Sequence, residues 1–280
     1  MRRTRTLIQA LIGAAVVAGG LATFTPAAQA ITINVPCADG ENALVAAVNR
    51  ANSTPARDTL VLAGGCTYRM TSPHGGLTNA LPLITTPMEM IGPATITRNS
   101  AVLFRIAEVT TAGNLTFTTN VAITNGSVAG NGGGILNHGA VTFTRSSLTG
   151  NTATLNGGGL ANIGAAPAAT FTRSPVSGNT ALLRGGGIYN GPGGTLTTTG
   201  VSGNPLSVSG NTGSEGGGIA AVRSTATTLT QTAVSTNHAV LTAGGVFRLN
   251  GVMTTTSSPI SANTPNNCVG SNPAVPHCTG

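Results

Sequence analysis

A run of three glycines before an apolar residue keeps returning through the second half of the chain. It appears as Gly132-Gly133-Gly134-Ile135, Gly157-Gly158-Gly159-Leu160, Gly185-Gly186-Gly187-Ile188, Gly216-Gly217-Gly218-Ile219 and a worn copy, Ala243-Gly244-Gly245-Val246. The runs begin at residues 132, 157, 185, 216 and 243, so successive units are 25, 28, 31 and 27 residues long. No other feature constrains the fold as much. A unit of that length is too short to close a core of its own. It buries its apolar face only by stacking on the next, which makes a solenoid.

Aligning the units produces three columns. The first is a Thr-apolar-Thr strand: Thr116-Phe117-Thr118, Thr142-Phe143-Thr144, Thr170-Phe171-Thr172, Thr195-Leu196-Thr197 and Thr228-Leu229-Thr230, ending in a degenerate Thr254-Thr255-Thr256. Period-two alternation sets each central residue on one face and both threonines on the other. The second column is a turn closing on Asn151, Asn179, Asn211, Asn237 and Asn263. The third follows the glycines and carries Asn137, Asn162 and Asn190.

Short strands joined by corners at this period predict an all-β fold, a right-handed parallel β-helix with about one coil per unit and ~4.8 Å between coils. Phe117, Phe143 and Phe171 are then expected to stack inside, and the asparagines to bond side chain to side chain at the corners. Glycine is required where φ turns positive and where adjacent coils crowd. A helical solenoid would need apolar residues at i, i+3, i+4 and i+7, which the repeats lack, and Gly and Thr are poor helix formers.

The ends differ from the middle. Between Asp39 and Ala51, Leu44, Val45 and Val48 share one face among alanines, with Asp39 and Glu41 placed to favour a helix N-terminus. A short helix here would cover the open first coil, whose unpaired edge needs protection. Asp58–Leu62 and Met88–Ile91 read as irregular early coils. The four cysteines, Cys37, Cys66, Cys268 and Cys278, lie outside the repeats. Of three possible connectivities, pairing within each end is the economical one, because a rod keeps its ends apart. A metal site would want C-x-x-C or a nearby His pair, and the sequence has neither. The expected organisation is therefore a signal peptide over 1–30, a cap helix with irregular coils over 31–112, regular repeats over 113–264, and a C-terminal disulfide loop over 265–280.

The export reading rests on Arg2, Arg3 and Arg5, the apolar stretch Leu7–Leu21, and Ala28-Gln29-Ala30 as a small-x-small cleavage site, with processing after Ala30. The apolar stretch is shorter than the ~20 residues of a membrane span, and nothing after it is long and apolar enough to cross. The chain has thirteen Arg, no Lys and six acids, and three of the arginines fall in the first five residues. The rest are scattered singly, whereas a nucleic-acid partner would want them clustered with aromatics. The expectation is a secreted monomer with no cofactor, no nucleic-acid partner and no membrane span in its mature part.

The order Asn42-Ala43-Leu44, Ala51-Asn52, Asp58-Thr59-Leu60, Leu81-Pro82-Leu83-Ile84 and Phe104-Arg105-Ile106, followed by Gly-Gly-Gly-Ile-x-Asn coils, resembles secreted bacterial right-handed β-helix repeat proteins that share an N-terminal CSLREA segment. Here the namesake motif is degraded to Asn42-Ala43-Leu44-Val45-Ala46-Ala47. The coils are also similar in part to the repeats of polymorphic outer-membrane proteins, with Gly replacing Ala and the Phe-x-x-Asn element missing. These resemblances imply a pectin-lyase-like fold and an extracellular or cell-surface setting, and they carry no functional residue over.

Three function classes follow from such a rod. A polysaccharide lyase or glycoside hydrolase would need paired carboxylates, or a base with a cation. The only candidates are Glu89 and Glu108, expected on early coils where they can face each other, with Arg98 and Arg105 nearby; the competing reading, ion-paired or solvated surface groups, is favoured. His74, His138, His238 and His277 occur singly, and no Gly-x-Ser-x-Gly elbow is present. Non-catalytic binding, adhesion or scaffolding is the leading reading. In it, a polysaccharide or cell-surface ligand meets the outward threonines, Thr116, Thr118, Thr142, Thr144, Thr170, Thr172, Thr195, Thr197, Thr228 and Thr230, through many weak contacts. The same rows, ~4.8 Å apart along the rod, also suit ordered water and ice. Uneven unit lengths and the interrupting Arg145 and Arg173 count against that third reading.

Overall fold

A computed structural model describes residues 29–280. The export reading concerns residues 1–30 and lies almost wholly outside this range. The chain forms a parallel β-solenoid of about nine turns, with one helix at the front and a disulfide-closed loop at the back. Each regular turn visits four sheets in sequence. Ala140–Thr144 lies in a nine-stranded sheet, Ser147–Thr149 in an eight-stranded one, Thr152–Ala153 in a five-stranded one and Leu160–Asn162 in a six-stranded one; Ala168–Thr172 then returns to the first. Every pairing within these sheets is parallel, as one-coil crossovers require.

The lumen is filled by columns of buried side chains. Phe117, Phe143 and Phe171 stack with ring centroids 4.8 and 4.9 Å apart. The column begins at Ile33, Leu60 and Met90 and continues past the rings through Thr198, Leu229 and Thr255. One expectation is corrected at this point. Leu196 does not follow Phe171; it pairs with Ala169, and Thr198 takes the place opposite Phe171. In Thr195–Thr199 a slip of two residues leaves every side chain on the same face, so alternation alone cannot fix the register. The buried Thr198 hydroxyl is satisfied by the Thr232 hydroxyl at 2.8 Å.

Two asparagine ladders clamp the turns. Along one corner, Asn151 Nδ2 donates to Asn179 Oδ1, Asn179 to Asn211, Asn211 to Asn237 and Asn237 to Asn263, at 2.9–3.0 Å. The second runs from Asn137 through Asn162 to Asn190 at 2.7 and 2.8 Å. The glycine triplet divides its work. Its first member sits at φ between +65° and +69°. Its second lies so near the next turn that a Cβ on Gly158 would stand 2.4 Å from the backbone oxygens of Gly186 and Thr180.

The ends are closed as expected. Helix Gly40–Ala51 buries Leu44, Ala47, Val48 and Ala51 over the first turns, with Val45 at the margin. Asp39 stands at its N-cap, but its side chain makes no capping bond. Disulfides join Cys37 to Cys66 and Cys268 to Cys278. Behind the last turn, Asn267 extends the first ladder by accepting from Asn263 at 3.1 Å, and Asn272 pairs with Arg248 and Asn250.

Candidate binding face

Strand register decides what the nine-stranded sheet presents outward. Thr116, Thr142, Thr170, Thr197, Thr228 and Thr254 pair in succession, and two residues further on so do Thr118, Thr144, Thr172, Thr199, Thr230 and Thr256. The result is two unbroken columns across six turns, with neighbours ~4.8 Å apart along the rod and ~7 Å across. Thr195, expected in this set, lies outside both columns opposite Ala168 and Ala226, and Thr199 fills its place. A third column of small residues, Asn114, Ala140, Ala168, Thr195 and Ala226, flanks them and keeps the surface low.

Threonine suits this position for a local reason: its branched Cβ fits a pleated strand and stiffens χ1. Stacked in register, such side chains hold methyls and hydroxyls at fixed spacing. Thr197, Thr254 and Thr256 are exposed and most of the others half-buried by their neighbours. Thr116 is covered because Arg57 Nη2 donates to its hydroxyl at 2.9 Å. Beyond it the first column continues into Glu89, which accepts from Thr118 Oγ1 at 3.0 Å and lies 3.9 Å from Arg57.

Glu89 and Glu108 are not brought together. Glu89 projects from the nine-stranded sheet, Glu108 belongs to the six-stranded one, and Arg98 to the eight-stranded one. Glu108 instead pairs with Arg105 Nη1 at 3.0 Å and accepts from Asn79 at 3.1 Å. Arg105 is almost wholly buried, which lowers its pKa, while the Glu108 charge pulls the other way. Arg98 spends its donors on the carbonyls of Asn125, Ser100 and Val102 and lies over Phe104. Glu89, Arg98 and the Arg105–Glu108 pair thus tie turns together in three separate places, and the two carboxylates lack the geometry of a catalytic pair.

Two groupings escaped the sequence. His138 lies 3.8 Å from Glu108 by Nε2, and its Nδ1 is 2.7 Å from the Ile163 carbonyl. At the front, Glu41 on the helix accepts from the backbone N–H and hydroxyl of both Thr71 and Ser72, and lies 2.7 Å from His74 Nε2. No local signal joins residues 30 and more apart in an irregular coil. Among the described residues no group of three His, Cys, Asp or Glu side chains is arranged to hold a metal ion.

Glu41 makes the helix cap sensitive to acid. Burial works against its ionisation, but the hydrogen bonds from Thr71, His74 and Ser72 outweigh it and hold the carboxyl at about 2, below the usual 4.5. Stability from a depressed carboxyl is present above the unfolded-state value and is lost as pH falls through the folded one. Between pH 5 and pH 2 the protein should lose about 1–2 kcal/mol on this account, with solvent screening allowed for. Thermal melts across that range should show a shallower acid slope in Glu41→Gln; an identical slope would remove Glu41 as the cause.

Compared with known protein families, with curated proteins and with solved structures, the chain matches none. Its identity rests on its geometry alone: a parallel β-solenoid of about nine turns carrying a twelve-threonine face.

Proposed function

We propose that this is a secreted, non-catalytic binding or scaffolding protein that lays its threonine face on a polysaccharide or cell-surface ligand of regular repeat. The observation that carries this reading is the pair of six-residue threonine columns in continuous register. Single hydroxyl contacts are weak, but a rigid array engages a repeating ligand many times at little further entropic cost. The basic and apolar leader, the two disulfides and the resemblance to secreted β-helix repeat proteins support an extracellular setting.

A glycan array read together with product detection on polyuronides tests it. Binding without turnover is expected, and Thr142→Tyr with Thr170→Tyr should weaken it at least tenfold while far-UV dichroism stays unchanged. Release of unsaturated or reducing ends would replace the reading with the lyase or hydrolase alternative.

Ice is the second reading, and one observation favours it. Uneven unit lengths leave the face in register, because the extra residues go into loops, and Arg145 and Arg173 stand after the strands. Thermal hysteresis abolished by the same two tyrosines, with no glycan bound, would decide for ice.

A further inference from the structure

The corner between the nine- and eight-stranded sheets takes left-handed backbone at Asn120, Arg145, Arg173, Gln231 and Ser257, with φ between 47° and 61°. Asparagine tolerates that conformation best, whereas a long side chain gains nothing from it. Arg145 and Arg173 nevertheless occupy it in consecutive turns, directly after the paired residues Thr144 and Thr172. Their backbones are therefore about one strand spacing, ~4.8 Å, apart. Like charges placed side by side on neighbouring strands repel. Both side chains are exposed and neither takes part in an ion pair among the described residues, so their charge faces outward and is open to a partner.

Arg145 and Arg173 line a cleft of about 570 Å³ with Asn120, Ser147 and Asn204, and no carboxylate is among its lining residues. Ion pairs among the described residues engage Arg57, Arg105 and Arg184. One wall of the cleft is an insertion. From Thr172 to Val176 the chain takes four steps, but from the matching Thr199 to Val208 it takes nine. The added loop is pinned by mutual backbone bonds between Val201 and Asn204, at 3.0 and 3.2 Å, and turns Asn204 toward the arginines. On its far side a second cleft, beside Gln231 and Ser257, carries no charge.

We infer that the Arg145–Arg173 cleft binds the anionic groups of an acidic polysaccharide. Each guanidinium offers a planar fork that matches a carboxylate or sulfate in bidentate fashion. Two forks one turn apart meet successive groups of a chain running along the rod, while Asn120, Ser147 and Asn204 supply neutral donors and acceptors. The inference rests on the polymer-binding reading for its ligand class; the cleft itself borders the threonine face and is a separate surface.

Calorimetric titration of the full protein with dextran sulfate, polygalacturonate and neutral dextran tests it. Either or both acidic polymers should bind, more weakly as salt rises, and dextran should not bind at this site. Arg145→Gln with Arg173→Gln should weaken acidic binding at least tenfold. The fold should persist, since Gln231 already occupies the same corner with φ 47°. The exposed pair Arg50→Gln with Arg69→Gln, of equal charge change, should alter affinity less than twofold. Failure of both acidic polymers to bind, or equal loss in the two double variants, overturns the inference. Loss confined to the corner variant, with Thr142→Tyr and Thr170→Tyr silent toward every polymer, would uphold the cleft and overturn the threonine face. The reverse pattern would uphold the face alone.

Discussion

Asn179→Leu should lower the stability of the solenoid by at least about 4 kcal/mol, a large share of the 5–15 kcal/mol that holds a typical domain folded. The Asn179 side chain is fully buried and works in both directions. Its Nδ2 donates to Leu148 O and Asn211 Oδ1, each at 3.0 Å, and its Oδ1 accepts from the backbone and side-chain nitrogens of Asn151, also at 3.0 Å. Leucine is close in size but satisfies none of these. Each buried donor or acceptor left without a partner costs about 1–3 kcal/mol, and water cannot reach this corner to relieve it. Urea unfolding should show a markedly lower midpoint with an unchanged slope. A midpoint within about 0.3 M of the parent's would mean that the ladder adds order and little stability.

Gly158→Ala should be as damaging through a different cause. The obstacle is backbone, in the Gly186 and Thr180 oxygens at 2.4 Å, so no rotamer change makes room. The turns would have to separate, at the expense of the hydrogen bonds that Gly158 and Gly159 donate to Gly185, Gly186 and Gly187. A loss of about 3 kcal/mol or more is expected, at the upper end for overpacking because the clash cannot relax. Gly64→Ala is the control, since a Cβ there meets nothing within 4 Å. Paired thermal melts should leave Gly64→Ala near the parent and Gly158→Ala far below it or insoluble. Equal melting temperatures would show that the triplet is dispensable at its middle position.

What the sequence revealed, and what it hid, has a common physical basis. Asn151 and Gly158 are legible because each occupies a site where one residue type alone satisfies the geometry, so it returns turn after turn; Phe143 is legible because its strand keeps a Thr-apolar-Thr frame in successive turns. The disulfides are legible because a rod separates Cys37–Cys66 from Cys268–Cys278. Thr195–Thr199 misleads because threonine is acceptable both inside and outside, so its neighbours in the chain do not set the register. Arg145 and Arg173 are visible at matching positions but look like interruptions until the corner is built and the Val201–Pro205 loop is seen to wall their cleft. The Glu41 contacts with Thr71, Ser72 and His74 belong to a region without repetition, where proximity has no sequence signature.

The separation between stacked turns and the two lids has a consequence for how such a chain can vary. Each interior turn bonds to the one before and the one after, so duplicating or deleting a whole turn alters reach while leaving both lids seated. The number of turns then sets the length of the rod, and the number of threonines in each column rises or falls with it. The helix at the front and the disulfide loop at the back have no such latitude, because each exists once and fits a single terminal edge.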